Sequence, residues 1–291
     1  MSVIIEMETI KAEISEQGAE LISLKSKDSN LEYLWQANPD HWARHAPVLF
    51  PIVGALKDGK YTYQEKTYQL SQHGFARDSL FSLVEQTPTS ALFLLESNDQ
   101  TKENYPFDFQ LYIAYELQES TLKVSYKVVN PTNEDLYFSI GGHPAFNVPL
   151  EEGLTFDDYY LEPTPMKSRI TLPLKNGQID SENRTLGQTN TTFALSHELF
   201  HEDALIFETK GRNAFSIKSE KSKHSVTLSY DDFPYVGIWS TYPVQSPFVC
   251  IEPWFGVADT VETSGQLTEK LGIQKLSSHK TMKTSYTITI Q

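Results

Sequence analysis

Apolar and polar residues alternate over long stretches of this chain, and that period limits what it can fold into. Phe107, Phe109, Leu111, Ile113, Tyr115 and Leu117 alternate with mostly polar partners, and Leu122, Val124, Tyr126 and Val128 do the same. Tyr286, Ile288 and Ile290 repeat the pattern near the last residue. A period of two sends successive side chains to opposite faces, so these segments read as half-buried antiparallel strands. Gln118-Glu119-Ser120 reads as the hairpin turn between the first two. Asp58-Gly59 is a turn signal, and residues 61–70 read as a hairpin folded at Glu65-Lys66. Asn130-Pro131-Thr132-Asn133 marks another turn. Helical signals are few and short, at residues 39–45, 194–201 and 264–271. Residues 154–190 break the strand rhythm and read as a long loop. The expected fold is all-β: one domain over residues 1–291, a large twisted antiparallel β-sandwich with a few short helices.

Composition supports this and narrows the partners. Fifteen tyrosines and sixteen phenylalanines against four methionines suit pleated, half-buried surfaces. The 24 basic and 38 acidic residues leave a net charge of −14. A chain this acidic lacks the basic stripe that nucleic acid needs, and it is repelled by an anionic membrane. The single cysteine, Cys250, excludes an internal disulfide framework, and its apolar neighbours Phe248, Val249 and Ile251 make it a core thiol. The first residues lack a basic segment and a long apolar run, and the apolar stretch 46–56 is too short to span a bilayer. A cytoplasmic protein is expected.

Three stretches carry candidate chemistry. In Gly141-Gly142-His143-Pro144-Ala145-Phe146, paired glycines permit a sharp turn or close approach to a ligand, and the proline restricts His143. The alternative is a surface turn histidine. In Val249-Cys250-Ile251-Glu252-Pro253-Trp254-Phe255, a carboxylate follows an apolar strand beside two large aromatics. Desolvation there raises a carboxyl pKa toward values useful to a general base. The alternative is a solvated strand-end glutamate. His143 and Glu252 share one local grammar of apolar strand, ionisable residue, proline and aromatic, which suits two groups facing one cleft. In Gln72-His73-Gly74-Phe75-Ala76-Arg77-Asp78, a histidine and an arginine can donate hydrogen bonds to hydroxyl or anionic oxygens. The alternative is a loop with a surface Arg77–Asp78 pair.

A rival motif is His197-Glu198-Leu199-Phe200-His201, which matches the zinc-protease signature H-E-x-x-H. Glu202-Asp203 and the strand-like Ala204-Leu205-Ile206-Phe207 follow at once. That leaves barely two helical turns and no third ligand, so a short capping helix is expected and no metal.

In this order and spacing, several segments resemble the aldose 1-epimerase (mutarotase) family, most closely its LacX-like branch. They are Ile14-Ser15-Glu16-Gln17-Gly18-Ala19-Glu20-Leu21, residues 47–54, His73-Gly74-Phe75-Ala76-Arg77, Gly142-His143-Pro144, Asp203 and Cys250-Ile251-Glu252-Pro253. The resemblance covers nearly the whole chain. It implies a β-supersandwich that interconverts the α and β anomers of a hexose without a cofactor. It implies Glu252 as general base at the C1 hydroxyl, His143 as general acid at the ring oxygen, His73 as a second histidine there, and Asp203 on sugar hydroxyls. Trp239 and Trp254 offer aromatic faces for the sugar. Base and acid are expected on opposite sides of the ring. Galactose mutarotases carry an arginine just before the turn matching Asp58-Gly59; Gly54-Ala55-Leu56-Lys57 has none, and Arg77 is the substitute. The His-Gly-Phe-Ala-Arg form also resembles the hexose-6-phosphate mutarotase branch. A phosphate would call on Arg44, Lys57, Lys60 and Arg77. The other readings are a non-catalytic carbohydrate-binding sandwich and a zinc protease at His197 and His201. A small-molecule sugar is the expected partner, with the chain as monomer or homodimer.

Overall fold

The computed structural model describes residues 1–291. Two large antiparallel sheets carry the architecture. The nine-stranded sheet contains the three segments whose alternation is clearest, as strands Gln110–Gln118, Thr121–Val129 and Thr281–Ile290. The turn between the first two falls at Glu119-Ser120. Leu111, Ile113, Tyr115, Leu122, Val124, Tyr126, Val128, Tyr286, Ile288 and Ile290 all face one continuous core. The second large sheet is built around strand Phe248–Phe255, flanked by Tyr235–Trp239 on one side and by Ile140–Gly142 and Ala145–Asn147 on the other. Val236, Ile238, Val249, Ile251 and Phe146 enter the same core, so the two sheets pack face to face. A three-stranded N-terminal sheet, Ser2–Glu6, Ile10–Ser15 and Leu21–Ser26, adds its buried residues to that core.

Strand Phe248–Phe255 is buried on both faces over all but its last residue. Its odd positions Val249, Ile251 and Phe255 pack into the sandwich. Its even positions point the other way. Phe248 and Cys250 join a small cluster with Trp35 and Ala145, Trp254 joins another with Leu49 and Ile206, and Glu252 sits between them. In the antiparallel register Gly237 lies opposite Glu252, and Tyr235 opposite Trp254. A Cβ on Gly237 would come within 2.4 Å of the Trp254 ring, and one on Gly141 within 2.6 Å. These two glycines therefore seat the indole rather than form a turn. Gly142, expected to turn or meet a ligand, instead lies under Tyr286, whose Oη would be 2.8 Å from an added Cβ.

Several local expectations need correction. Residues 39–45 form no helix; the Asn38 carbonyl accepts from the His41 and Trp42 backbone N–H groups and its side chain from that of Asp40, which closes a single turn. Only one-turn 3-10 segments appear at His197–Phe200 and Leu267–Glu269. The one α-helix, Asp99–Asn104, was not expected; a reciprocal Asn98–Thr101 capping box starts it. Residues 154–190 are not a structureless loop. They hold strands Tyr160–Thr164, Arg169–Thr171, Leu174–Lys175, Gln178–Ile179 and Thr185–Gly187. These are too short for a period to show. The hairpin at 61–70 forms as Lys60–Tyr63 and Lys66–Gln69, turning at Gln64-Glu65, one residue earlier than expected. Both turn residues have positive φ, the twist a two-residue hairpin prefers.

The seat under Trp254 yields a prediction. Gly237→Ala should destabilise the fold by about 1–3 kcal/mol, the usual cost of overpacking, in a urea unfolding curve. An unchanged midpoint would show that the indole is free to move.

Candidate active site

The face of the Phe248–Phe255 sheet turned away from the sandwich forms the floor of a cavity of about 550 Å³. The residues expected to meet the sugar all line it: His73, Arg77, His143, Asp203, Trp239, Glu252 and Trp254. A larger cavity of about 760 Å³ lies between the Lys60–Gln69 hairpin and the α-helix, and none of these residues lines it.

His143 and Glu252 meet at the floor, with Nε2 3.1 Å from Oε2. Glu252 lies inside its strand, not after it, and the strand's alternation aims it out of the sandwich core. His143 follows strand Ile140–Gly142, which pairs with the far end of the Glu252 strand. It is buried, not a surface turn residue. Trp42 stacks on its ring at 4.9 Å, and Trp239 and His73 meet it edge-on at 5.7 and 5.5 Å. Acid and base candidates thus stand side by side rather than across a ring. Two oxygens on one sugar carbon are also side by side, so the pair can address both.

Burial sets the electrostatics. Desolvation, with the nearby Asp203 charge second, pushes the Glu252 carboxyl well above the usual range. The Trp254 indole N–H works against that rise but falls short of hydrogen-bond geometry. Desolvation also lowers His143, to about 3, with Arg77 and Arg44 contributing to the fall. Burial and the His143, Arg77 and Arg44 charges push His73 well below its ordinary value, so it stays neutral. Its Nδ1 accepts the Gly54 backbone N–H at 3.1 Å, which puts the ring proton on Nε2 as a donor. The His73 backbone is left-handed, φ 68°, locked by its N–H to the Gly54 carbonyl and its own carbonyl to the Phe50 N–H. Three buried polar atoms here have no hydrogen-bond partner, Arg77 Nε, His143 Nδ1 and Trp254 Nε1, and Glu252 Oε2 has only its 3.1 Å approach to His143 Nε2, which falls short of hydrogen-bond geometry. Such atoms are rare in protein interiors and cluster where a protein acts.

Arg77 donates to the Gln72 carbonyl at 2.7 Å and lies 3.7 Å from Asp78, so the pair read from sequence does form. Arg44 reaches Asp78 at 2.9 Å, Lys57 donates to the Val261 carbonyl, and Lys60 sits 3.9 Å from Asp58. Of these four basic residues only Arg77 lines the cavity. Asp203 is exposed at the rim with φ 78°, its carboxylate accepting the Ala204 N–H. Gln72, from the third candidate stretch, also lines the cavity, as do Trp42, Leu174, Gly177 and Thr241, which were missed. Trp42 lay in a segment read as helix, and residues 174–177 in one read as loop.

The zinc-protease signature does not assemble. His197 stacks on Phe156 at 4.0 Å, and His201 turns to the Glu198 carbonyl and to Glu202. A one-turn 3-10 segment cannot align two histidines as an α-helix does.

Comparisons with known proteins place the chain in a family. The aldose 1-epimerase family profile matches residues 1–270. The chain belongs to the aldose 1-epimerase family. Protein LacX (plasmid) of Lactococcus lactis subsp. lactis is 34% identical, over all of this chain and 99% of that protein. A galactose mutarotase related enzyme from Lactobacillus acidophilus superposes with a TM-score of 0.99 at 43% identity, covering 100% of this chain and 97% of that one. A galactose mutarotase-like protein from Lactobacillus casei superposes at 0.89 with 33% identity, covering both chains fully. The all-β sandwich and the family resemblance are thus established, with an isomerase of mutarotase type acting on a sugar. No helix is long and apolar enough to cross a membrane.

One buried ion pair holds the rim. Lys270 Nζ lies 2.9 Å from Asp259 Oδ1, and Asp259 Oδ2 accepts the Lys57 N–H. The Asp259 N–H donates to the Ala55 carbonyl, and its carbonyl accepts the Ile179 N–H. Segment 54–57 and the hairpin bearing Leu174 and Gly177 are thereby tied to one residue. Lys270→Met leaves that carboxylate buried without its cation and should cost about 3–5 kcal/mol in thermal or urea unfolding.

Proposed function

We propose that the protein interconverts the α and β anomers of a free hexose. Glu252 takes the proton from the C1 hydroxyl while the ring oxygen receives one from the His143 imidazolium, a form that burial makes scarce but strongly acidic, and the hemiacetal C–O bond breaks. Rotation about C1–C2 and the reverse proton transfers close the other anomer. The neutral His73, donating from Nε2, supports the ring oxygen. Asp203 and Arg77 hold hydroxyls at the rim, and Trp239 and Trp254 present aromatic faces to the sugar's C–H face. The observation that carries this reading is the 3.1 Å contact of two buried groups, acid and base, at the floor of a cavity rimmed by hydroxyl-binding side chains.

The reaction needs one proton removed and one delivered at the two oxygens of one carbon, and each such group typically contributes about 10²–10⁴-fold. A phosphate site calls for clustered cations, and a single arginine lines this cavity, which favours an uncharged sugar over a hexose 6-phosphate. A non-catalytic sugar-binding sandwich would need the aromatics and Asp203 but not a desolvated acid/base pair.

Polarimetry of freshly dissolved α-glucose, α-galactose and their 6-phosphates tests the reading. A free hexose should equilibrate faster than in buffer; if none of the four does, the function is wrong. Glu252→Gln keeps the side-chain shape and should lower the rate about 10²–10⁴-fold with little change in melting temperature. Undiminished activity would remove Glu252 from the role of base.

The pH profile follows from burial. A base works ionised, and desolvation raises the pKa of Glu252. The rate should therefore fall on acidification at a higher pH than an ordinary carboxylate would give. A rate still level down to the ordinary carboxylate range would contradict this.

A further inference from the structure

The sequence motif that suggests zinc does not assemble, but donors of the right kind meet elsewhere. Cys250 and Glu252, two residues apart on one strand, share its outward face. Across from them, Ala145 pairs with Cys250, and the Ile251 N–H donates to the Pro144 carbonyl at 3.3 Å, which brings His143 alongside. One ligand atom from each of His143, Cys250 and Glu252 lies within 4.8 Å of the others, and all three side chains are buried.

We propose that His143, Cys250 and Glu252 form a zinc-capture site that disables the enzyme when loaded. Zinc binds imidazole, thiolate and carboxylate at about 2.0–2.3 Å, so donors this close reach one ion with small rotamer adjustments. Thiolate and carboxylate together neutralise the dication, which suits a buried place. The thiol proton leaves to solvent as the zinc–sulfur bond forms. A sulfur donor selects against magnesium and calcium. His143 Nε2 and Glu252 Oε2 approach each other to 3.1 Å without hydrogen-bond geometry, so two of the three donors already converge on one point. Three protein ligands leave a fourth position toward the cavity, where a sugar hydroxyl or water completes the tetrahedron. An ion held there occupies the lone pairs that base and acid need. The inhibitory half of the proposal rests on the acid/base reading above; the capture of zinc does not.

The test uses chelator-treated full-length protein, equilibrium dialysis against Zn²⁺ alone, and polarimetry. One zinc per chain should bind, mutarotation should fall as zinc is added, EDTA should restore it, and Mg²⁺ should do neither. Cys250→Ala should keep the basal rate yet bind zinc at least about tenfold more weakly and resist inhibition, since even outer-shell partners of a metal cost that much when lost. Cys250→Ser, closer in shape, serves where the alanine variant unfolds. His197→Ala should leave zinc binding intact. Zinc uptake lost with His197→Ala, or inhibition unchanged in both Cys250 variants, overturns the site. A chain that binds one zinc through Cys250 yet accelerates no sugar would retain the site and sink the proposed function instead.

Discussion

The strand Phe248–Phe255 must satisfy two interiors at once. One face completes the sandwich core through Val249 and Ile251; the other is covered by tryptophans and loops. Because alternation is strict, a carboxylate between Ile251 and Pro253 has only the covered outer face to occupy. That constraint, more than any loop geometry, puts Glu252 out of water and next to His143. A one-residue slip of register would drive the carboxylate into the sandwich core and expel Ile251 from it.

Desolvation is costly, and the surroundings show how the cost is met. A buried charge is tolerated when another group shares it. Glu252 has His143 at 3.1 Å and the Trp254 N–H nearby, with Asp203 exposed at the rim. The aromatic wall of Trp42 and Trp239 packs around the imidazole. Stability is spent to keep two titratable groups away from their solution behaviour, a common arrangement where proton transfer is the task. The rim is held differently, by the compensated pair Asp259–Lys270, whose charges stay with each other.

Much of this was legible in the sequence, for reasons that differ by element. The half-buried strands at 110–129 and 281–290 announced themselves because one face is apolar and the other is not. The central strand read as an unbroken apolar run, since both its faces are buried; hence Glu252 looked terminal when it is internal. The short strands between 160 and 187 hold too few residues for a period to appear. Trp42 was misplaced because the polar cap of Asn38 closes a turn that resembles a helix start. The glycines at 141 and 142 were noticed for the wrong reason: they make room for Trp254 and Tyr286, not for a ligand. The candidate residues themselves came from their local chemistry and their order; the cavity gathers the seven expected to meet the sugar, while Arg44, Lys57 and Lys60 stay outside it. Which donors lie close enough to share an ion was beyond sequence reading, because Cys250 reads as core.

The contacts that complete the cavity join parts of the chain that are far apart. Lys57 reaches Asp259 across 202 positions, and His143 meets Glu252 across 109. Loop closure must be met before such pairs return any free energy. During synthesis the first half of the chain leaves the ribosome with its floor strand and its rim clamp still untranslated. The outer face of the sheet, with Trp42 and His143, then has no partner until residues 248–270 arrive. Assembly of the cleft in this sense waits for residues 248–270, and the exposure of that apolar face until then leaves the nascent chain open to misassociation.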